Sequence, residues 1–412
     1  MSYVSRQCLL CASSALEDVV RLTPTPPANA LAESRKQALD AVAFPLDLAR
    51  CAACGLVQLT DALPRDELFR DYKYATGAAP GLVSHFRALA DDVLSRVDLP
   101  PGSVVVELGS NDGTLLKAFA ERGMRVLGVD PAVDIGQQAR ESGVPTLTEH
   151  FNAEVADRIV TEFGGADVVL ANNVLAHVED LNGVLAGVRS LLGPTSSAVV
   201  EVAHLLPMAL SGAFEFVYHE HMSYFSLATL CRAMMRHDLR IVDVAEVATQ
   251  GGSLRCWVRR VDASDGANPS SRVAALIDRE QRAGLTDGLL LRDFDERVRR
   301  VTGQVADVLG GLAGQGRRIA GYGASARAVT FMAQCDIAQQ ITWIADDNPR
   351  KVGWYVPGSG VEVVEPDRLT AGEIDYCVLF AWNFADHIIQ ATRTFWAGGG
   401  SYIVPFPTLN VR

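Results

Sequence analysis

The sequence predicts an α/β protein in which a small metal-stapled module precedes two open, mostly parallel α/β units. Three observations predict it. Two C-x-x-C pairs stand near the N-terminus, at Cys8/Cys11 and Cys51/Cys54. A strand, a glycine turn and a helix follow one another from Val104. The same succession returns at Ile319. Strands that alternate with helices through short Gly-rich turns signal a parallel sheet covered on both faces. At 412 residues the chain is too long for one ordinary domain. The composition shifts suggest units at 1–65, 66–262 and 263–412.

The first unit takes its reading from its cysteines. Each C-x-x-C pair sets two thiolates on one tight turn, and two such turns can meet around an ion. Cys8, Cys11, Cys51 and Cys54 therefore read as a tetrahedral structural Zn²⁺ site, with two redox or disulfide pairs as the alternative. Between them T-P-T-P-P-A-N (Thr23–Asn29) is Pro-rich and irregular. The metal is expected to supply what so small a core cannot. Cys231, Cys256, Cys335 and Cys377 stand alone and read as core residues.

A helical pattern covers Gly81–Val97, preceded by D-Y-K-Y-A-T-G-A-A-P, a loop bearing Tyr72 and Tyr74. Strands are then expected at Val104–Leu108, Arg125–Val129, Ala166–Leu170 and Ser197–Val202. A helix follows the first of them, with Thr114 as its N-cap. Leu239–Val247 and Ser253–Arg260, split by T-Q-G-G, read as an antiparallel pair closing the sheet edge. A polar Gly/Ser/Pro boundary and a long amphipathic stretch, Val273–Leu309, lead to the last unit. Its strands are Ile319–Gly321, Ile341–Ala345, Tyr376–Phe380 and Tyr402–Val404, with a helix at Ala326–Gln334.

Charge and hydropathy remove several functions. The net charge of −12 argues against DNA or RNA as partner, since neutralising phosphates needs a surplus of Lys and Arg. No apolar run reaches the roughly 20 residues of a membrane helix. Residues 1–7 are polar and show no secretory h-region, so a cytoplasmic location is the default expectation.

The first glycine turn reads V-V-V-E-L-G-S-N-D-G, through Glu107, Gly109, Ser110, Asn111 and Gly113. Asp130 ends the next strand, where it could accept hydrogen bonds from a ribose diol. Asn172 and Asn173 follow the third strand and complete the candidate cofactor set. A carboxylate at Glu107 repels a dinucleotide pyrophosphate but suits a methionine ammonium. That favours S-adenosylmethionine (SAM) over NAD. The spacing E-x-G-x-x-x-G resembles motif I of class I SAM-dependent methyltransferases.

The second turn reads I-A-G-Y-G-A-S-A-R, with Ala in the third glycine position and Asp346 ending the next strand. On pattern alone it is a diphosphate cradle helped by Arg327 or Lys351, or a tight turn with no ligand.

Between the two lies E-F-V-Y-H-E-H-M-S-Y, residues Glu215–Tyr224. Two histidines, two glutamates and two tyrosines in ten residues suit proton abstraction from carbon: a base, a group to tune it, and donors for the developing charge. In an extended chain His219 and His221 would face one side and Tyr218 and Glu220 the other. Either histidine could be the base. His177, in A-N-N-V-L-A-H-V, is a second catalytic group on the ligand edge of the sheet or a solvated helix-start residue. His85, His150, His204, His237 and His387 lack such company and read as structural.

Taken with V-E-L-G-S-N-D-G-T-L-L, G-Y-G-A-S-A-R and D-D-N-P-R-K-V-G-W-Y-V-P-G, these segments make the whole chain resemble the nucleotide-sugar C-methyltransferases, notably the sugar C-3-methyltransferases of branched deoxysugars. The resemblance implies a zinc-binding module, a class I SAM-dependent methyltransferase domain and a C-terminal Rossmann-like domain. It implies a 4-keto nucleotide-diphospho-sugar as substrate, with His221 as base and Glu220 raising its basicity and orienting it. Tyr218 and His177 would stabilise the enolate, and Tyr72 or Tyr74 would close over the ligands. Tyr322, Gly323, Ser325, Arg327, Asn348 and Lys351 would bind the nucleotide diphosphate, dTDP- or GDP-linked, in a monomer or homodimer. L-T-P-T-P-P-A-N departs from the G-x-Q-P-L-type segment usual in deoxysugar members, and Arg327 replaces a frequent Lys. Small-metabolite O- or N-methylation, or a zinc-ribbon sensor that binds SAM or a nucleotide, are the competing readings.

Overall fold

A computed structural model describes residues 3–4, 7–64, 68, 77, 80–263 and 268–412. Tyr72 and Tyr74 lie outside the described residues.

The middle of the chain builds a seven-stranded sheet. Its order is Leu239–Val247, Ser253–Arg260, Leu192–Ala203, Ala166–Asn172, Val104–Leu108, Arg125–Val129, Thr146–Leu147. The first two strands run antiparallel to their neighbours, as expected of an edge pair, and the rest are parallel. All of Val104–Leu108 is buried, as a strand covered on both faces must be. This first strand lies between the strands at 166–172 and 125–129. The winding reverses there and opens a crevice at the carboxyl ends of the strands.

The last third repeats the device. Its six-stranded sheet runs Val363–Val364, Ile341–Ala345, Ile319–Tyr322, Tyr376–Leu379, Ser401–Val404, Asn410–Val411, with an antiparallel final strand. Ile319–Tyr322 again sits at the reversal. The amphipathic stretch before it is three helices, Ser271–Arg282, Leu289–Arg292 and Phe294–Gly314. Gly284 and Gly288, at φ 74° and 82°, break the first from the second.

Two expectations need correction. The N-cap of the helix Thr114–Ala120 is Gly113, at φ 76°, while the Thr114 hydroxyl donates to Asp112 Oδ1 at 2.6 Å. The N-terminal module also holds more regular structure and a wider core than its proline content suggests. Leu16–Thr25 and Phe44–Cys51 pair antiparallel, and Val57–Leu59 adds a third strand. Its apolar side chains are shared outward. Val20, Leu46 and Leu48 pack in one core with Phe214, Phe331 and Phe406, and Leu10 and Leu56 pack in the core of the middle sheet. The fourth strand of its sheet is Ser223–Tyr224, from the acid–base segment far along the chain.

Candidate active site

The carboxyl ends of both parallel sheets open onto one cavity of about 410 Å³. Glu107, Gly109, Ser110, Asn111, Asp130, Asn172 and Asn173 line one part of it. Tyr322, Gly323, Ser325, Arg327, Asn348 and Lys351 line another, and His177, Tyr218 and His221 lie on its wall as well. Gly113 does not line it. A Cβ there would meet Val144 at 2.9 Å, so this glycine serves the turn and its packing.

The first turn is crowded and acceptor-rich. Gly109 has φ 64°, and a Cβ on it would come within 2.3 Å of Val174 Cγ2. Asn111 also adopts positive φ, and its N–H donates to Asp130 Oδ2 at 2.8 Å. The Ala132 N–H donates to Asp130 Oδ1 at 2.9 Å, so the carboxylate is clamped by backbone. Glu107 Oε2, Ser110 Oγ and both polar atoms of the Asn172 amide are buried without a protein partner. Burial pushes the Glu107 carboxyl well up, the nearby Asn172 side chain opposes it, and the negative charges of Asp130 and Asp112 push it further up. Such a set suits a cationic amino-acid head and a ribose, so the residues fit SAM.

The second turn is balanced differently. Gly323 has φ 93°, and a Cβ there would meet Ala381 Cβ at 2.7 Å. Lys351 Nζ donates to the Ala324 carbonyl at 2.9 Å and to Asp346 Oδ2 at 3.3 Å. Tyr322 donates its hydroxyl proton to Asp347 Oδ1 at 2.7 Å. Arg327 lies over the Phe216 ring at 5.1 Å and donates to Asn383 Oδ1 at 2.6 Å.

Between the turns, the acid–base segment is a tight turn and not an extended strand. The His221 N–H donates to the Tyr218 carbonyl at 2.9 Å, which brings Tyr218 and His221 together. Their rings lie 4.0 Å apart, and His177 stands edge-on to His221 at 4.9 Å. The Phe216 carbonyl, 2.9 Å from His221 Nδ1, can only accept, so Nδ1 carries the proton. Nε2 is then the basic nitrogen, and the Tyr218 hydroxyl donates to it at 2.7 Å. Burial holds His221 well below the usual imidazole range, with the fields of His177 and Arg327 adding and the Phe216 carbonyl opposing. Burial brings His177 down to about 4. Both rings are therefore neutral at neutral pH.

The pairing of Glu220 with His221 is not what the structure contains. Glu220 accepts from Asn29 Nδ2 at 2.9 Å, and the backbone carbonyl of Phe216 orients His221 in its place. The turn sends Glu220 away from the cavity. His219 is also directed elsewhere, with its Nε2–H donating to the Pro45 carbonyl at 3.2 Å. Asn29, His150 and His387 line the cavity, although the sequence marks the two histidines only as structural. No local pattern announces them, because the fold alone brings them there. His85 caps a different network. Its Nε2 lies 2.9 Å from Glu201 Oε1, while Arg255 Nε donates to Glu201 Oε2 at 2.9 Å, tying the helix Pro80–Arg96 to the sheet.

The four N-terminal thiols converge, with ligand atoms all within 4.8 Å of one another. Cys8–Cys54 and Cys11–Cys51 approach to 3.4 and 3.6 Å. Sulfurs about 2.3 Å from a tetrahedral Zn²⁺ would stand about 3.8 Å apart, so the donor set fits the ion.

Comparison with known proteins agrees with this geometry. Residues 8–69 match a family model described as a putative zinc binding domain, 83–244 a methyltransferase domain, and 248–407 a C-methyltransferase C-terminal domain. A methyltransferase fold with a four-cysteine zinc module is thus the class. The chain is 35% identical over 402 residues to the C-methyltransferase NovU of Streptomyces niveus, spanning 97% of this chain and 95% of that one. It belongs to that C-methyltransferase family and is a SAM-dependent C-methyltransferase with a structural zinc site. A ubiquinone biosynthesis O-methyltransferase of Xanthomonas oryzae pv. oryzae is 24% identical over 167 residues, covering 38% of this chain and 70% of that one. The SAM-bound structure of magnesium protoporphyrin IX methyltransferase from Synechocystis PCC 6803 covers 48% of this chain and 98% of that one at 16% identity, with a TM-score of 0.36. Among the described residues no helix is long and apolar enough to cross a membrane.

Proposed function

We propose that this C-methyltransferase acts on a 4-keto nucleotide-diphospho-sugar, dTDP- or GDP-linked, and methylates the carbon beside the ketone, C-3. The observation that carries the reading is the single cavity joining the two glycine turns, with the Tyr218–His221 pair on its wall. In this reading the first turn, with Glu107, Asp130, Asn172 and Asn173, holds the methyl donor. The second turn, with Arg327, Asn348 and Lys351, holds the diphosphate. Bound SAM supplies an electrophilic methyl group.

The chain's own part is proton transfer. His221 Nε2 takes the proton from C-3, whose acidity the neighbouring ketone provides. Tyr218 shifts its hydroxyl proton from Nε2 toward the ketone oxygen and stabilises the enolate as it forms, and the His177 ring assists. Since burial keeps His221 neutral, the base is ready without a prior deprotonation. Its activity holds as pH falls from 8 through the ordinary imidazole range and drops only below it.

The test is solvent exchange. With a 4-keto nucleotide-sugar in D₂O and no SAM, the wild type should wash deuterium into C-3. Adding SAM should place a labelled methyl on that carbon, as read by NMR. A methyl found on oxygen or nitrogen, or no exchange with any keto sugar, would sink the reading.

A further inference from the structure

Glu220 is 1% exposed, within the turn that carries His221. Its Oε1 accepts from Asn29 Nδ2 at 2.9 Å, and its Oε2 has no partner. Burial raises its pKa, and its own backbone N–H opposes the rise, followed by the side chain and the backbone N–H of Asn29. A buried carboxyl depends on the few donors it has.

Asn29 comes from a part of the chain that is anchored on both sides. Just before it, Thr23 and Gln334 exchange two hydrogen bonds of 2.7 and 2.9 Å. Just after it, Ala32 and Tyr355 exchange two more, of 2.9 and 2.8 Å. Gln334 lies on the helix Ala326–Cys335, which starts at the second glycine turn, and Tyr355 follows the segment of Asn348 and Lys351. The loop 26–31 is thus tied at both ends to the C-terminal α/β unit while Asn29 reaches the acid–base turn, and Asn29 itself lines the cavity.

We propose that Asn29 is a positioning residue for the proton transfer: its amide fixes Glu220, and through Glu220 the turn that sets Tyr218 against His221. The N-terminal module is then part of the catalytic apparatus as well as a zinc-stapled platform. The proposal rests on the enolisation reading above for its kinetic consequence, but not for the contact itself.

Three variants of the full-length zinc-loaded enzyme test it. Asn29→Ala should lower both SAM-free solvent exchange and kcat by about tenfold or more, the loss expected for a donor to a buried charged group. The KM for SAM should stay within about twofold, because the first turn is untouched. Asn29→Asp should be inactive at pH 8 and recover as pH falls toward 6, where one of the two facing carboxyls carries the bridging proton. A merely structural role gives the rescue only where the variant is unfolded at pH 8, so the rescue counts where its melting and its binding of S-adenosylhomocysteine (SAH) at pH 8 match the wild type. Thermal melting and SAH binding certify folding, and Asn29→Ser stands in if Asn29→Ala unfolds. Unchanged kcat and pH profile in these variants overturn the proposal. If the wild type exchanges no proton on any keto sugar, the substrate reading fails, and the positioning role is decided by infrared difference spectra. The Glu220 carboxyl band, assigned through Glu220→Gln, must then move in Asn29→Ala, and an unmoved band overturns the role.

Discussion

The two glycine turns share a backbone plan and differ in how their polar groups are spent. Both follow the first strand of a parallel sheet, and both need a glycine at positive φ, with a neighbouring side chain where a Cβ would go. Around the first, Glu107, Ser110 and Asn172 keep buried polar atoms without protein partners. Around the second, Ser325 Oγ likewise has no partner among the described residues, but the cation Lys351 is already engaged by Asp346 and Ala324, and Tyr322 by Asp347. A site with unspent acceptors gains most from a cation that satisfies them. A site with engaged cations must exchange internal bonds for those to an anion, which lowers the net gain. On the proposed reading, the donor pocket is prepared in advance and the nucleotide pocket rearranges.

The widest separation between turns and chemistry comes from His221→Ala. Exchange and methyl transfer should fall by about 10²–10⁴-fold, while SAH and nucleotide affinities stay near wild type. Wild-type turnover would mean that the base lies elsewhere. Next in size, Gly109→Ala and Gly323→Ala should each cost about tenfold or more in the affinity of one ligand only, SAH for the first and nucleotide for the second. Equal losses of both ligands in either variant would erase the distinction between the turns. Glu107→Gln against Lys351→Ala makes a milder pair, each costing roughly tenfold in its own ligand by isothermal titration. The smallest effect is a proton count. The Glu107 carboxyl is raised in the free protein, and a bound cation favours its charged form. Between the pKa of the bound state and the raised pKa of the free one, SAH binding should therefore release protons, and Glu107→Gln should abolish the release. Calorimetry in two buffers of different ionisation heat reads it directly.

Legibility in the sequence followed the range of the interaction. The strands of both α/β units and the glycine turns were readable because strand, turn and helix leave their pattern within a dozen residues. The four cysteines were readable because the spacing is itself the ligand geometry. The N-terminal sheet was hidden, since its fourth strand, Ser223–Tyr224, is supplied from elsewhere in the chain. Glu220 was set beside His221 by the family resemblance and not by spacing, and in the turn closed by one i to i−3 hydrogen bond at Tyr218 it meets Asn29 instead. Asn29 carries no signature at all. Its position depends on bonds from Thr23 and Ala32 to residues more than three hundred positions later.

The pairing of Ser223–Tyr224 with Val57–Leu59 also has a meaning in time. A ribosome releases the N-terminal strands long before residue 221 exists. The module must then wait with an open sheet edge until the acid–base segment arrives to occupy it. Zinc bound by Cys51 and Cys54, directly ahead of that edge, keeps the template in shape during the interval.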